Sequence, residues 1–114
     1  MTITEFEAYI ERLGYPVQPI DGSDGPYVAI RGIAITTGAL AGRTCDVAIR
    51  REQAVPYIPP AAIHTRPALV PMGTLNTSAS PIGSDWQYWS RRFDRPVTPA
   101  SLWTHILTIL SEVQ

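Results

Sequence analysis

The sequence predicts an α+β domain in which helices pack on one face of an antiparallel sheet. Three observations predict it: an amphipathic helical pattern near the start, a second near the end, and between them short β-branched runs cut by glycine and proline punctuation. At 114 residues the chain suits one domain with one compact core, so residues 1–114 are read as a single unit.

In the first segment Phe6, Tyr9, Ile10 and Leu13 recur at the spacing of one helical face, and Glu5, Glu7, Glu11 and Arg12 occupy the other. Thr2 followed by Glu5, or Thr4 followed by Glu7, supplies a capping-box start, and the early acidic residues suit the helix dipole. Gly14 is placed to end the helix in a left-handed conformation.

From Tyr15 to Arg51 the pairs Asp21-Gly22 and Asp24-Gly25, with Gly38 and Gly42, separate runs rich in Val, Ile, Tyr and Thr. Strands are expected near Val17–Ile20, Tyr27–Ile35 and Arg43–Arg50, with a bulge or bend at Gly32. In the third run Cys45, Val47 and Ile49 face one way and Thr44, Asp46, Ala48 and Arg50 the other, which predicts one buried face.

Between Val55 and Pro81 six prolines each remove a backbone donor and fix φ, so regular central strands are not expected to persist. A short strand near Ala62–Thr65 or Ala68–Val70 would complete a meander of about four strands. A polar loop, GTLNTSAS, and an aromatic segment, WQYWSRRF, follow. The last helix has Thr98 as N-cap and Pro99 at its first position, with Leu102, Ile106, Ile109, Leu110 and Val113 as one apolar stripe widened by Trp103.

Composition excludes several classes. Apolar residues at 45% and charged residues at 17% predict an ordered core. The formal net charge is −1, with basic residues scattered apart from Arg50-Arg51 and Arg91-Arg92, which argues against a nucleic-acid partner. The single cysteine, Cys45, has no partner for an internal disulfide, and a reducing cytoplasm fits. The first residues show neither a basic nor an apolar leader pattern, and no apolar run is long enough for a membrane span, so a cytoplasmic location without membrane contact is expected. His64 and His105 lack metal-ligand spacing, and neither a metal nor a cofactor is expected.

At Val55–Pro60, VPYIPP resembles the tyrosine-proline-x-x-proline-proline turn that follows the meander in ubiquitin-conjugating enzymes, with Tyr57, Pro59 and Pro60 carrying the likeness. Continuing at that family's spacing, its histidine-proline-asparagine motif falls on Val70-Pro71-Met72, where only the proline matches. Its catalytic cysteine falls on or beside Ser80, in a loop that also holds Asn76, Thr77 and Ser78. Its tryptophan falls close to Trp86. The run WQYWSRRF further resembles the prokaryotic family E branch, whose tryptophan-glutamine-x-tryptophan-serine-arginine-histidine motif is matched by Trp86, Gln87, Trp89, Ser90 and Arg91. Arg92 stands in place of the histidine.

The resemblance implies a ubiquitin-conjugating-like (UBC-like) fold. It also implies partners: a ubiquitin-like protein, an activating-enzyme-like adenylating protein and a JAB-type metalloprotease. With no cysteine at the thioester position, the expectation is an accessory that binds the ubiquitin-like protein or its activating enzyme. Two alternatives stand beside it: an active conjugating enzyme that uses Cys45 or a loop hydroxyl such as Ser80, and an interaction domain unrelated to ubiquitin chemistry. Cys45 is expected to be buried with Val47 and Ile49. Trp86 reads as core, Trp89 as either core or a partner platform, and Arg91 and Arg92 as solvent-facing cations for a carboxylate-bearing tail. All nine basic residues are arginines. A GC-rich genome explains that simply; it also leaves no lysine amine to accept a ubiquitin-like protein.

Overall fold

The computed structural model describes residues 1–52, 57, 61–93 and 98–114. Helix α1 (Ile3–Arg12) begins where the Thr2 side chain accepts the Glu5 N–H, so the first of the two caps foreseen is the one used. It buries Ile3, Phe6 and Ile10, whereas Leu13, placed on the same stripe by its spacing, lies beyond the last turn and is exposed. Removing a side chain the size of Phe6 from water contributes roughly 2–3 kcal/mol, so this face holds the helix on the sheet.

The sheet is antiparallel and has six strands: β1 (Val17–Gly22), β2 (Gly25–Ala34), β3 (Thr44–Arg50), β4 (Ala62–Arg66), β5 (Thr77–Ser80) and β6 (Gly83–Ser90). The order across it is β1-β2-β3-β4-β6-β5. The first four strands form the expected meander. GTLNTSAS and WQYWSRRF, read as a loop and an aromatic segment, instead supply β5 and most of β6, which correct the expected four strands to six. The chain passes from β4 over the position of β6 to make the edge strand β5, then returns through a tight turn so that β6 lies between them. Gly32 sits at the break in register between Ile30 and Ile33 with φ 73°, and its N–H donates to Asp46 Oδ1 at 3.0 Å, a bulge that only a residue without Cβ makes without strain.

Helix α2 (Pro99–Ser111) starts at Thr98, whose hydroxyl accepts the Ser101 N–H while Ser101 Oγ accepts the Thr98 N–H. Leu102, Trp103, Ile106, Ile109 and Leu110 are buried, and Val113 packs on the core just past the helix end. There the Ala39 N–H donates to Val113 O at 2.7 Å. Gly38 permits this approach, because a Cβ at that position would stand 2.5 Å from Ser111 O. No helix among the described residues is long and apolar enough to cross a membrane.

Both helices contribute to one core, with Val28, Ile30, Cys45, Val47, Ile49, Ile63 and Trp89 facing them from the sheet. The expectation of a single buried face in β3 is corrected, because Ala48 is also fully buried, on the opposite side, with Tyr27, Ala29 and Trp86. This second, smaller core is roofed by the tip of the β5–β6 hairpin through Ile82. The roof is tied down by Ser23 in the β1–β2 turn, whose N–H donates to Pro81 O at 2.8 Å.

Candidate functional site

Strand alternation sends Ile63, Thr65, Gln87 and Trp89 toward the helices and His64, Arg66, Trp86 and Tyr88 to the opposite face. The polar members of this pair of strands therefore fall into two groups with different tasks.

Gln87 is fully buried, and its amide serves the crossing from β4 to β5. Its Oε1 accepts the Leu69 N–H at 2.9 Å and the Val70 N–H at 3.4 Å, and its Nε2 donates to Val70 O at 2.9 Å and to the Thr77 hydroxyl at 3.3 Å. The crossing has no strand partner of its own, and this side chain satisfies its backbone together with Arg43, whose guanidinium donates to Leu69 O at 3.1 Å. Trp89, fully buried beside it, donates its indole N–H to the Thr65 hydroxyl at 3.0 Å. That placement withdraws Trp89 from any contact surface. Arg91 lies over the Trp89 ring at 5.3 Å and pairs with Glu112 at the end of α2, so its guanidinium is already engaged within the chain. Arg92 is exposed. Trp86 is core, as expected, but in the smaller cluster, with the Arg66 guanidinium 4.6 Å above its ring.

Tyr57 is buried, its hydroxyl donating to Arg50 O at 2.6 Å and its N–H to Met1 O at 2.7 Å. It anchors the crossing between β3 and β4, while Pro59 and Pro60 lie outside the described residues. Burial raises the Tyr57 phenol well above its ordinary range.

Cys45 packs among the apolar residues under the helices, and burial pushes its thiol up to about 12, with the Asp46 carboxylate adding to the shift. It sits on β3, separated from β5 by β4 and β6, which at about 4.8 Å per strand puts some 14 Å between it and the loop position. A nucleophilic thiol must ionise and be reachable. The burial of Cys45 opposes both, which weighs against the thiol version of a conjugating enzyme.

Ser80 meets a residue that sequence spacing did not connect to it. Its Oγ lies 2.8 Å from His64 Nδ1 and accepts the Ile82 N–H at 3.1 Å. His64 is 3% exposed and stands edge-on between the rings of Tyr27 at 4.9 Å and Tyr88 at 5.3 Å. Burial lowers its pKa to about 4, opposed by the Asp24 carboxylate. Asp24 itself accepts from the Tyr27 hydroxyl at 2.9 Å and pairs with Arg50 at 3.3 Å.

A serine and a histidine in contact suggest a nucleophile and its base, but a base must take up the proton it removes. Here the imidazolium would be formed inside a closed apolar cluster. The pair is better suited to holding the hairpin tip on the sheet than to driving a reaction. His105 packs against Phe93 at 4.5 Å between ring centroids, a structural contact. Among the described residues no three His, Cys, Asp or Glu side chains gather as a metal site. Compared with family models, with curated proteins and with solved structures, the chain matches none.

Proposed function

We propose that this chain is a UBC-like component of a bacterial ubiquitin-like conjugation pathway that carries no thioester and acts by binding the ubiquitin-like protein or its activating enzyme. The observation that carries the non-thioester part is the burial of the only thiol, Cys45, held at about 12 under both helices. Support for the family part comes from the order of parts: an opening helix, a meander, a crossing anchored by Tyr57, and the Trp86–Arg91 run leading into the last helix. Arg92, exposed beside that run, is the cation offered to a carboxylate-bearing tail.

The test is a charging assay with a ubiquitin-like protein and adenylating enzyme of the same organism, with ATP, paired with calorimetry. Expected are micromolar binding, weakened several-fold by Arg92→Ala, and no adduct that reductant removes. Absence of binding to both proteins would leave the reading as an interaction domain outside ubiquitin chemistry.

The 2.8 Å contact of Ser80 with His64 favours a second reading, in which Ser80 Oγ attacks the thioester of a charged activating enzyme, forming an oxyester as the C–S bond breaks and that enzyme's thiol leaves with the serine proton. Such an adduct would resist reductant, yield to alkali and vanish in Ser80→Ala.

A further inference from the structure

Two cavities meet at Tyr15, in the connection from α1 to β1. The larger, of about 460 Å³, is lined by Gly14, Tyr15, Pro16, Arg31, Gly32 and Asp46. The smaller, of about 170 Å³, lies between the end of β2 and the last turns of α2, against Ala34, Ile35, Leu107 and Leu110, with Thr36 and Ser111 as its polar members. Tyr15 lines both, its ring centroid 5.1 Å from that of Trp103. One cavity thus carries charge and the other is mostly aliphatic.

Charge in the larger cavity is unbalanced. Asp46 accepts the Gly32 N–H through Oδ1 at 3.0 Å and two Arg66 N–H groups through Oδ2, at 3.0 and 2.8 Å. Both oxygens are engaged, and Arg66 neutralises the carboxylate. Arg31 Nε stands 3.9 Å from the same Oδ2, too far for a hydrogen bond, and Arg31 Nη1 makes only a long 3.4 Å contact with Gln18. Two guanidiniums therefore share one carboxylate, and Arg31, its side chain 53% exposed, keeps donors and charge for a further anion. At the end of α1 the carbonyls of Tyr9, Ile10 and Glu11 are taken by the N–H groups of Leu13, Tyr15 and Gly14, which blunts the negative end of that helix beside the cavity.

We propose that the two cavities form one binding site for a small carboxylic acid with an unbranched apolar tail, its carboxylate on Arg31 and its tail passing Tyr15 into the space between Ala34, Leu107 and Leu110. A guanidinium offers a carboxylate paired N–H donors, and the aliphatic walls favour a tail that leaves water. An inorganic anion would use only the first half of the site and an uncharged chain only the second. The smaller cavity has room for about five or six groups the size of a methylene, at roughly 30 Å³ each, so the tail is short. The inference goes beyond the ubiquitin-like reading and uses neither Arg92 nor Ser80.

The probes are octanoate, butyrate, octanol and inorganic phosphate, each titrated into the full chain and followed by amide shifts and calorimetry. Octanoate is expected to bind in the submillimolar range, with shifts gathered at Tyr15, Arg31, Ala34 and Leu107, and the other three about tenfold more weakly or worse. Arg31→Gln, at an exposed side chain, should weaken octanoate about tenfold and leave octanol unchanged. Ala34→Trp, which fills the smaller cavity, should bring octanoate down to the affinity of butyrate; where distant amide shifts show that this variant disturbs the fold, Arg31→Gln decides alone. No octanoate binding, shifts gathered elsewhere, equal affinity for octanoate and octanol, or octanoate binding indifferent to Arg31→Gln would overturn the proposal. A capped tetrapeptide ending in leucine that binds more tightly than octanoate would overturn the choice of a free acid over a peptide C-terminus.

Discussion

The indole N–H of Trp89 and the hydroxyl of Thr65 lie 3.0 Å apart in the core between β4 and β6, each buried to the exclusion of water. Replacing Thr65 with valine keeps the shape and removes the acceptor. The stranded N–H should cost about 1–3 kcal/mol, read as a lower denaturant midpoint with an unchanged slope.

The pH dependence of stability should carry the mark of His64. Its pKa falls from 6.5 to about 4 on folding. As pH drops the unfolded chain takes up the proton first, near 6.5, and the folded chain only near 4. Stability from this group is thus complete above 6.5, is lost between 6.5 and 4, and is flat below. The loss should approach about 3.5 kcal/mol, at about 1.4 kcal/mol per unit. His64→Gln should remove this component from unfolding curves taken at pH 7 and pH 4.5.

Gln87→Leu should be more damaging than the loss of one hydrogen bond. Two backbone donors and one carbonyl of the crossing, at Leu69 and Val70, lose their partner together with the Thr77 hydroxyl. A loss of about 3 kcal/mol or more is expected in chemical denaturation, with early amide exchange at Leu69 and Val70.

Leu75→Asn should raise the melting temperature, because asparagine tolerates the left-handed conformation that Leu75 holds at φ 53°. The gain is expected at ~1 kcal/mol. A melting temperature at or below wild type would show that the leucine side chain makes a compensating contact.

Cys45 should resist an aromatic disulfide reagent at pH 8 for as long as the chain stays folded, since burial holds its thiol at about 12. Labelling should follow global unfolding, so adding sub-denaturing urea should accelerate it in step with the unfolded fraction.

Legibility in the sequence followed physical cause. Both helices were readable because Thr2 and Thr98 are side-chain caps placed just before apolar stripes, a signal contained within a few residues. Strands β1 to β3 were readable from turn chemistry. Strand β6 was not, because it is covered on both sides: Trp86, Gln87 and Trp89 are all buried, so no alternation of apolar and polar residues survives. A buried glutamine reads as surface until its backbone partners are known. Ser80 and His64 were each visible as residues, but their contact depends on the chain turning back through β6. Trp89 and Arg91 have the composition of a binding hot spot and equally of an internal anchor, and only burial separates the two.

The bond from Ser23 to Pro81 joins the first hairpin of the sheet to the last across 57 residues of intervening chain. A contact of that span is costly in chain entropy until the strands between are in register, so it belongs to the final stage of folding. It also makes the halves interdependent. A fragment ending after the meander would lose its roof on one side and α2 on the other, leaving one face of β2 and β3 wet and the other covered by α1 alone, and would aggregate rather than persist as a smaller domain. Insertions into either tight turn should therefore be felt at the opposite end of the chain.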